Sequence, residues 1–566
     1  MANADLARRL IEIVGRRYVV TRAAAMRRFT KGYRFGEGTA LAAVSPGTLV
    51  ELWRVLRTCT DADAIVIMQA ANTGLTGGST PFGDYDRPVV LVSARRLRTA
   101  HLIDGGREAI SLPGATLDQL ERILAPLGRE PHSVIGSSCL GASVIGGICN
   151  NSGGALIKRG PAFTRHALFA RRGPSGELEL VNHLGIELPA GPEDMLAALE
   201  AGRFDPGVIV APPPEAAIDY ENRVRSVDEP TPARYNADPS FLHEASGSAG
   251  HLAVFAVRTD TFPRAESTQV FYIGTNDPAD LTKIRRDILS TFATLPISAE
   301  YMHRGTFDLA PSHGKDMFLA IRLLGTRRLP LINRMKEWID RATASLPLIP
   351  ANLADRLLHA IASLLPNHLP KRLRQLRDRY EHHLLIRTAD ETTAEMATYL
   401  GSTIPGLAAE YLICSPAEGE DAFIHRFVAA GAAIRYRALN PKTSAGLVSL
   451  DIALPRDKQD WAETLPPELA RQIAQSLSYG HFFCHVFHQD YVAIAGCNLE
   501  SLEEQLLTFH NARGAKYPAE HGVGHLYHAE ETLERHFQEL DPTNSFHPGL
   551  GRLTRGRNWL RRASPE

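Results

Sequence analysis

At 566 residues the chain exceeds one ordinary hydrophobic core, and usual domain sizes divide it into roughly two to four domains. With 44% hydrophobic and 22% charged residues and a formal net charge of -1, it has a globular composition that excludes a nucleic-acid binder built on bulk positive charge. The six cysteines (Cys59, Cys139, Cys149, Cys414, Cys484, Cys497) include no C-x-x-C pair, which argues against a zinc ribbon or disulfide framework and for a reducing, cytoplasmic compartment.

The N-terminal MANADLARRLIEIVGRR interrupts each apolar stretch with charge, unlike a secretory signal. It places Leu6, Leu10, Ile11 and Val14 on one face of an amphipathic helix. From about 40 to 265, β-rich runs (Ala64 to Met68, Val89 to Val92, Leu252 to Val257) alternate with helical stretches (Thr48 to Thr58, Leu117 to Leu127), predicting a mixed α and β unit. Residues 187 to 240, with Pro212-Pro213-Pro214 and few periodic apolar positions, read as a long surface excursion. STQVFYIGTN, 267 to 276, opens a second unit. Leucine-rich, arginine-loaded helical segments interrupt it at 326 to 388 before EYLICS and GLVSLDIAL resume the β pattern. No run of 18 uncharged apolar residues occurs, so no helix is expected to span a membrane.

Two glycine-rich stretches carry the chemistry. QAANTGLTGGSTP, 69 to 81, follows a strand-like run as a phosphate-cradling loop would. Yet it lacks a Gly-Lys-Ser/Thr ending, and Gly74, Gly77 and Gly78 fall outside a Gly-x-Gly-x-x-Gly frame. GSSCLGASVIGGICNNSGGALIKRGPAF, 136 to 163, is rich in small residues, which lets backbone N–H groups approach an extended ligand. With the LPGATLDQL turn at 112 to 120, three such loops imply a ligand much longer than one phosphate.

In this order, with GSAGHLAVF following, the loops resemble the FAD-binding domain of the vanillyl-alcohol oxidase and p-cresol methylhydroxylase (PCMH) superfamily. Within it, PHSVIGSSCLGASVIGGICNNSGG, YEHHLL and YPAEHGVGHLY resemble the quinone-dependent, membrane-associated D-lactate dehydrogenases of bacteria, over almost the whole chain. The resemblance implies an α+β fold. A two-part PCMH-type FAD-binding domain would occupy 1–265 (core about 35–206), completed by 516–566. An α+β substrate cap domain would occupy 266–325 and 389–515, with a helical basic membrane-contact insertion at 326–388. The resemblance places Ala70, Ala71, Asn72, Thr73, Gly74, Gly78 and Ser79 on the FAD pyrophosphate, with Asn72 and Thr73 contributing side chains. Gly136, Ser143 and Gly153 would line the flavin, and Phe255 would contact it from the returning strand. FAD is expected without a covalent link, because no histidine or cysteine stands where covalent members attach the ring.

GHFFCHVFH and AEHGVGH supply His481, His488, Glu520 and His521. Oxidising a 2-hydroxy acid needs a base for the hydroxyl proton, a role that suits histidine. Residues seven apart fall on opposite faces of a continuous strand, so His481 and His488 converge only across a turn or bulge. Related 2-hydroxyacid dehydrogenases carry Gly-His-x-Gly-Asp-Gly-Asn-x-His and Glu-His, which bind a divalent metal and supply the base. The resemblance therefore makes His521 the base, beside His481, His488 and Glu520. Phe483-Cys484-His485-Val486 replaces the Gly-Asp-Gly-Asn, which leaves the metal open. Arg379, Arg387 and the His303-Arg304 pair are cations considered for the substrate carboxylate, and the sequence selects none of them.

Residues 326 to 388 hold twelve Lys or Arg against five Asp or Glu, a net of +7. Leu331, Ile332, Met335, Trp338 and Ile339, then Leu353, Leu357, Leu358, Ile361, Leu364 and Leu365, recur at helical spacing near KRLRQLRDRY. The pattern suits either a packed hairpin with a solvated basic face or contact with an anionic phospholipid surface, and the resemblance favours the second. It implies a peripheral enzyme on the cytoplasmic face of the inner membrane that oxidises D-lactate to pyruvate through FAD and a membrane quinone. Alternatives are a flavin dehydrogenase or oxidase for another 2-hydroxy acid (D-2-hydroxyglutarate or glycolate) and a non-catalytic flavin-binding scaffold.

Overall fold

The protein is described from a computed structural model, which covers residues 3–133, 140–205, 220–329, 335 and 353–560. Its first sheet orders four strands as Val19–Val20, Ala42–Val44, Val89–Ser93 and Ile65–Gln69, the last three parallel. Parallel strands need a crossover, and helix Leu49–Asp61 supplies it between Ala42–Val44 and Ile65–Gln69. Thr48 caps that helix, its hydroxyl accepting from the Glu51 N–H at 3.0 Å. Leu6, Leu10 and Val14 of helix Asn3–Val14 join the same core, while Ile11 is half-buried.

The second sheet is antiparallel, with Ala100–Ile103, Glu108–Ser111, Ala253–Pro263, Ala167–Arg172 and Leu178–Asn182 side by side. Arg129–Pro131 pairs with the far end of Ala253–Pro263. Val90, Val92, Leu168, Ala170 and Phe255 join these two sheets in one core. The chain's end returns here: Val66 N–H donates to Ser545 O at 2.9 Å and His547 N–H to Val66 O at 3.1 Å.

The third sheet has seven antiparallel strands. Their order is Ala409–Ile413, Thr268–Thr275, His382–Ala389, Ser298–His303, Ile473–His481, Val486–Ile494 and Ser444–Ala453. Helices Pro278–Thr291, Glu391–Thr403 and Leu499–Ala512 cover one face through Leu281, Ile284, Met396, Leu400, Leu502 and Leu506. Arg304–His313, Lys315–Leu324, Lys371–Arg379 and Pro416–Leu439 cover the other, around Met302, Phe307, Leu373 and Leu385.

Two sequence expectations differ from this arrangement. The described parts of 187 to 240 are not simply a surface excursion, since helix Pro192–Glu200 buries Leu196 and Leu199, and Arg234 is fully buried, while Pro212, Pro213 and Pro214 lie outside the described residues. Nor is 326 to 388 helical to its end, because His382–Ala389 is an interior strand. That strand buries Leu384 and Ile386 on one face and His383 and Leu385 on the other, so its apolar run shows no alternation.

Candidate active site

The hairpin from Ile473 to Ile494 answers the spacing problem of the two histidines. Phe482–Cys484 forms a turn, and His485 follows it in the left-handed region at φ 54°. Tyr479 then stands opposite His488, and His481 opposite Val486. His481 and His488 therefore share a face, with ring centroids 5.4 Å apart. The residues replacing Gly-Asp-Gly-Asn form this turn, where His485 Nδ1 lies 2.8 Å from Pro455 O.

Each histidine meets a carboxylate from a neighbouring strand. Glu300 faces His481 across the sheet, and its Oε1 accepts from Nδ1 at 2.6 Å. Arg426, from helix Pro416–Leu439, holds the other Glu300 oxygen at 2.9 Å. Asp451 faces His488, its Oδ1 3.3 Å from Nδ1. With both Nδ1 edges occupied, both Nε2 atoms turn towards Glu520, His481 at 3.1 Å and His488 at 3.8 Å.

Glu520 and His521 come from the loop ahead of helix Glu531–Leu540. The fully buried Arg234 pairs with Glu520 Oε1 and donates to Gly154 O at 2.7 Å. Asp451 Oδ2 accepts from the backbone N–H groups of Glu520 at 2.7 Å and His521 at 3.1 Å, and lies 3.3 Å from His521 Nδ1. The His521 and His488 rings lie within 28° of parallel, 5.9 Å apart.

The ionisation pattern follows from this crowding. Burial would lower His481, but Glu300 and Glu520 outweigh it and hold the ring up to about 10. Burial would raise Glu520, but His481 and Arg234 keep its carboxyl well below the usual range. Desolvation lowers His521 against the pull of Asp451, which leaves a neutral ring with a third of its side chain exposed.

The glycine-rich loop ends beside this cluster. Thr76 Oγ1 donates to Gly522 O at 2.8 Å, and His525 N–H donates to Thr76 O at 2.9 Å. Among the described residues, no backbone N–H from Ala70 to Ser79 donates to another protein group. Ala70, Ala71, Thr73, Gly74 and Gly78 thus present a row of free donors, as a pyrophosphate cradle requires. Asn72 differs from the side-chain contact expected of it. Its amide donates to Lys31 O at 2.8 Å and accepts from Ser79 Oγ at 2.9 Å, which stabilises the loop at a φ of 56°.

The other expected cofactor residues lie in separate elements. Ser143 caps helix Val144–Cys149, its Oγ accepting from Gly146 N–H at 3.0 Å. Gly153 lies against Glu520, where an added Cβ would stand 2.6 Å from Oε1. Phe255 turns its side chain into the core, edge-on to Trp53, at a β-bulge that leaves only its main chain for a ligand. Gly136 lies outside the described residues.

Of the considered cations, Arg379 pairs with Glu410 and Arg304 with Glu381, while Arg387 stacks over Phe423 at 3.9 Å. Nothing in the local sequence singles out Glu300, Arg426, Asp451, Arg234 or Arg34. Arg34 donates to Ala430 O at 3.4 Å, and its charge reaches His521 and Tyr479. A strand-paired acid opposite each histidine is the one signal that could have found Glu300 and Asp451, and it depends on register.

Residues 40–163 match a family described as "FAD binding domain", and residues 270–559 one described as "D-lactate dehydrogenase, membrane binding". The chain is 50% identical to the quinone-dependent D-lactate dehydrogenase of Escherichia coli (strain K12) over 559 residues, 98% of each chain. It is 49% identical to that of Corynebacterium glutamicum over 551 residues, 97% of this chain and 96% of that one. Solved structures share the fold at lower identity. p-Cresol methylhydroxylase aligns with a TM-score of 0.57 at 11% identity, covering 97% of both chains. Alkyldihydroxyacetonephosphate synthase gives 0.57 at 11%, covering 97% of this chain and 85% of that one. Half-identity along essentially the full length of such relatives, on a PCMH-type α+β fold, makes this chain a member of the quinone-dependent D-lactate dehydrogenase family.

Proposed function

We propose that the chain oxidises D-lactate to pyruvate with FAD as cofactor and a membrane quinone as the final acceptor. The observation that carries this reading is the neutral, partly exposed His521, held beside Glu520, His481 and His488 at the end of a loop of free N–H donors. His521 receives the hydroxyl proton at Nε2, and Arg34 attracts the substrate carboxylate. FAD, when bound, supplies the two-electron acceptor, and Ala70 to Ser79, Ser143 and Gly153 hold it without a covalent link. Cys149 is an unreactive thiol, since burial pushes it up to about 11.

His481, His488 and Glu520 offer ligand atoms within 4.8 Å of one another, with a carboxylate behind each histidine. This donor set fits a divalent ion, which would supply a Lewis acid next to the substrate hydroxyl. Elemental analysis of the purified protein tests for it.

In this reading 1–265 and 516–566 surround FAD, and 266–325 with 389–515 form the cap, whose sheet strand His382–Ala389 completes. Membrane contact is peripheral, because no helix among the described residues is long and apolar enough to cross a bilayer. The contact surface is the edge where Leu323, Leu324, Leu357, Ile361, Leu364 and Leu365 are exposed, set against anionic phospholipid on the cytoplasmic face of the inner membrane. Leu331, Ile332, Trp338 and Ile339 lie outside the described residues.

Anaerobic addition of D-lactate to the yellow protein tests the activity. The flavin absorbance should bleach, and His521→Ala should hold FAD without bleaching. Bleaching by glycolate or D-2-hydroxyglutarate at lower concentrations than D-lactate would reassign the substrate, and retention of colour with all three would leave a scaffold.

A further inference from the structure

We propose that Asp451 is the positioning residue of this site, one buried carboxylate that sets the orientation and tautomer of both His488 and His521. The inference rests on the reading of His521 as the base.

Asp451 stands in strand Ser444–Ala453 directly opposite His488. Its side chain is 2% exposed, so both oxygens work without water. Oδ2 accepts from two consecutive backbone N–H groups, those of Glu520 and His521. The chain just ahead of them is tied to this strand as well: Ala519 N–H donates to Asp451 O at 3.0 Å, and Lys516 N–H to Ala453 O at 2.9 Å. The loop therefore cannot shift without Asp451. Oδ1 has no aligned donor, although His488 Nδ1 lies 3.3 Å away, and His521 Nδ1 lies 3.3 Å from Oδ2. Two such distances, slightly long for N–H···O, suit rings that tighten when substrate enters.

A carboxylate only accepts. Each ring must therefore present Nδ1–H to it, which leaves Nε2 of a neutral His521 ring without a proton. For His521 that nitrogen is the proton acceptor, while His488 turns its Nε2 edge to Glu520. A residue that merely anchored the loop would need only the acceptor at Oδ2. The approach of His488 to Oδ1 and of His521 to Oδ2, each at 3.3 Å, goes beyond anchoring.

Asp451→Asn separates the two roles. Its amide oxygen can keep the two backbone N–H groups, while its NH2 meets His488 Nδ1 as a donor and forces the opposite tautomer. Stopped-flow flavin reduction by saturating D-lactate is expected to fall at least 100-fold, with the half-saturating concentration within threefold and FAD retention unchanged. Reduction within threefold of the parent would overturn the proposal and leave Asp451 a loop anchor. If the Asn variant loses FAD or folds poorly, Asp451→Glu carries the test. It keeps the charge but moves it by one methylene, so reduction should fall about tenfold with unchanged melting, and an unimpaired rate would overturn the proposal. Substantial reduction by His521→Ala itself would instead overturn the assignment of the base, whatever the Asp451 variants do.

Discussion

Thr76 and Gly522, 446 residues apart in the chain, are joined by a 2.8 Å hydrogen bond from the Thr76 hydroxyl to the Gly522 carbonyl, and His525 N–H returns to Thr76 O. The glycine-rich loop and the loop bearing Glu520 and His521 are thereby one structural unit.

Thr76→Val keeps the shape and removes the hydroxyl, leaving the buried Gly522 carbonyl without its donor. A lost buried hydrogen bond costs about 1–3 kcal/mol. FAD should be held roughly tenfold more weakly, and flavin reduction should slow as well, both read by fluorescence titration and stopped flow. Unaltered affinity together with an unaltered rate would show that the two loops are independent.

Arg34 donates to Ala430 O at 3.4 Å, and its charge acts on His521. Arg34→Gln should raise the KM for D-lactate about tenfold or more, with kcat within threefold when a soluble dye is the acceptor. An unchanged KM would return the carboxylate-binding role to another cation, with Arg387 the next to test.

Glu520 is the charge partner of Arg234, whose side chain is fully buried. Removing one partner of a buried pair costs about 3–5 kcal/mol. Glu520→Ala should therefore lower the melting temperature by several degrees as well as impair turnover, and Glu520→Gln should melt closer to the parent. Equal melting of Glu520→Ala and the parent would mean that Arg234 finds another partner.

The exposed leucines and the basic helix make separable contributions to membrane contact. Arg372, Arg377 and Arg379 pair with Glu418, Asp308 and Glu410, which reduces what they can offer to lipid. Replacing Leu323, Leu324, Leu364 and Leu365 by glutamine should weaken binding to anionic vesicles more than replacing those three arginines, since each leucine transferred from water is worth up to about 1.5–3 kcal/mol. The reverse order in a sedimentation assay would make charge the principal force.

Glu463 lies in a pocket with Tyr491, His510 and Arg513. Burial raises its carboxyl from 4.5 to about 7, against the 2.5 Å hydrogen bond from the Tyr491 hydroxyl and the charge of Arg513. His510 is pushed down to about 3 by burial and stays neutral at these pH values. The folded protein holds the Glu463 proton more tightly than the unfolded chain. Its contribution to stability is thus fully present below about pH 4.5 and is lost as pH rises through about 7, by roughly 3 kcal/mol at most. Glu463→Gln should melt higher than the parent at pH 8 and alike at pH 4.5. A difference that does not vary with pH would assign the effect to packing.

Local pattern determined much of this protein. The amphipathic face of Leu6, Leu10 and Val14, the strand before QAANTGLTGGSTP and the capped helix after Thr48 are short-range consequences of periodicity and hydrogen bonding. The residue types at His481, His488, Glu520 and His521 were legible too, because the chemistry needs them. Their convergence was not. His481 and His488 share a face only because Phe482–Cys484 turns the chain, and sequence spacing alone put them on opposite faces. Glu300, Asp451, Arg234 and Arg426 had no local signature, since each is defined by the strand, loop or helix packed against it. The strand His382–Ala389 was hidden for a related reason: a segment buried on both faces loses its alternation, so its place in the sheet is decided by neighbours 79 or more residues away in the chain.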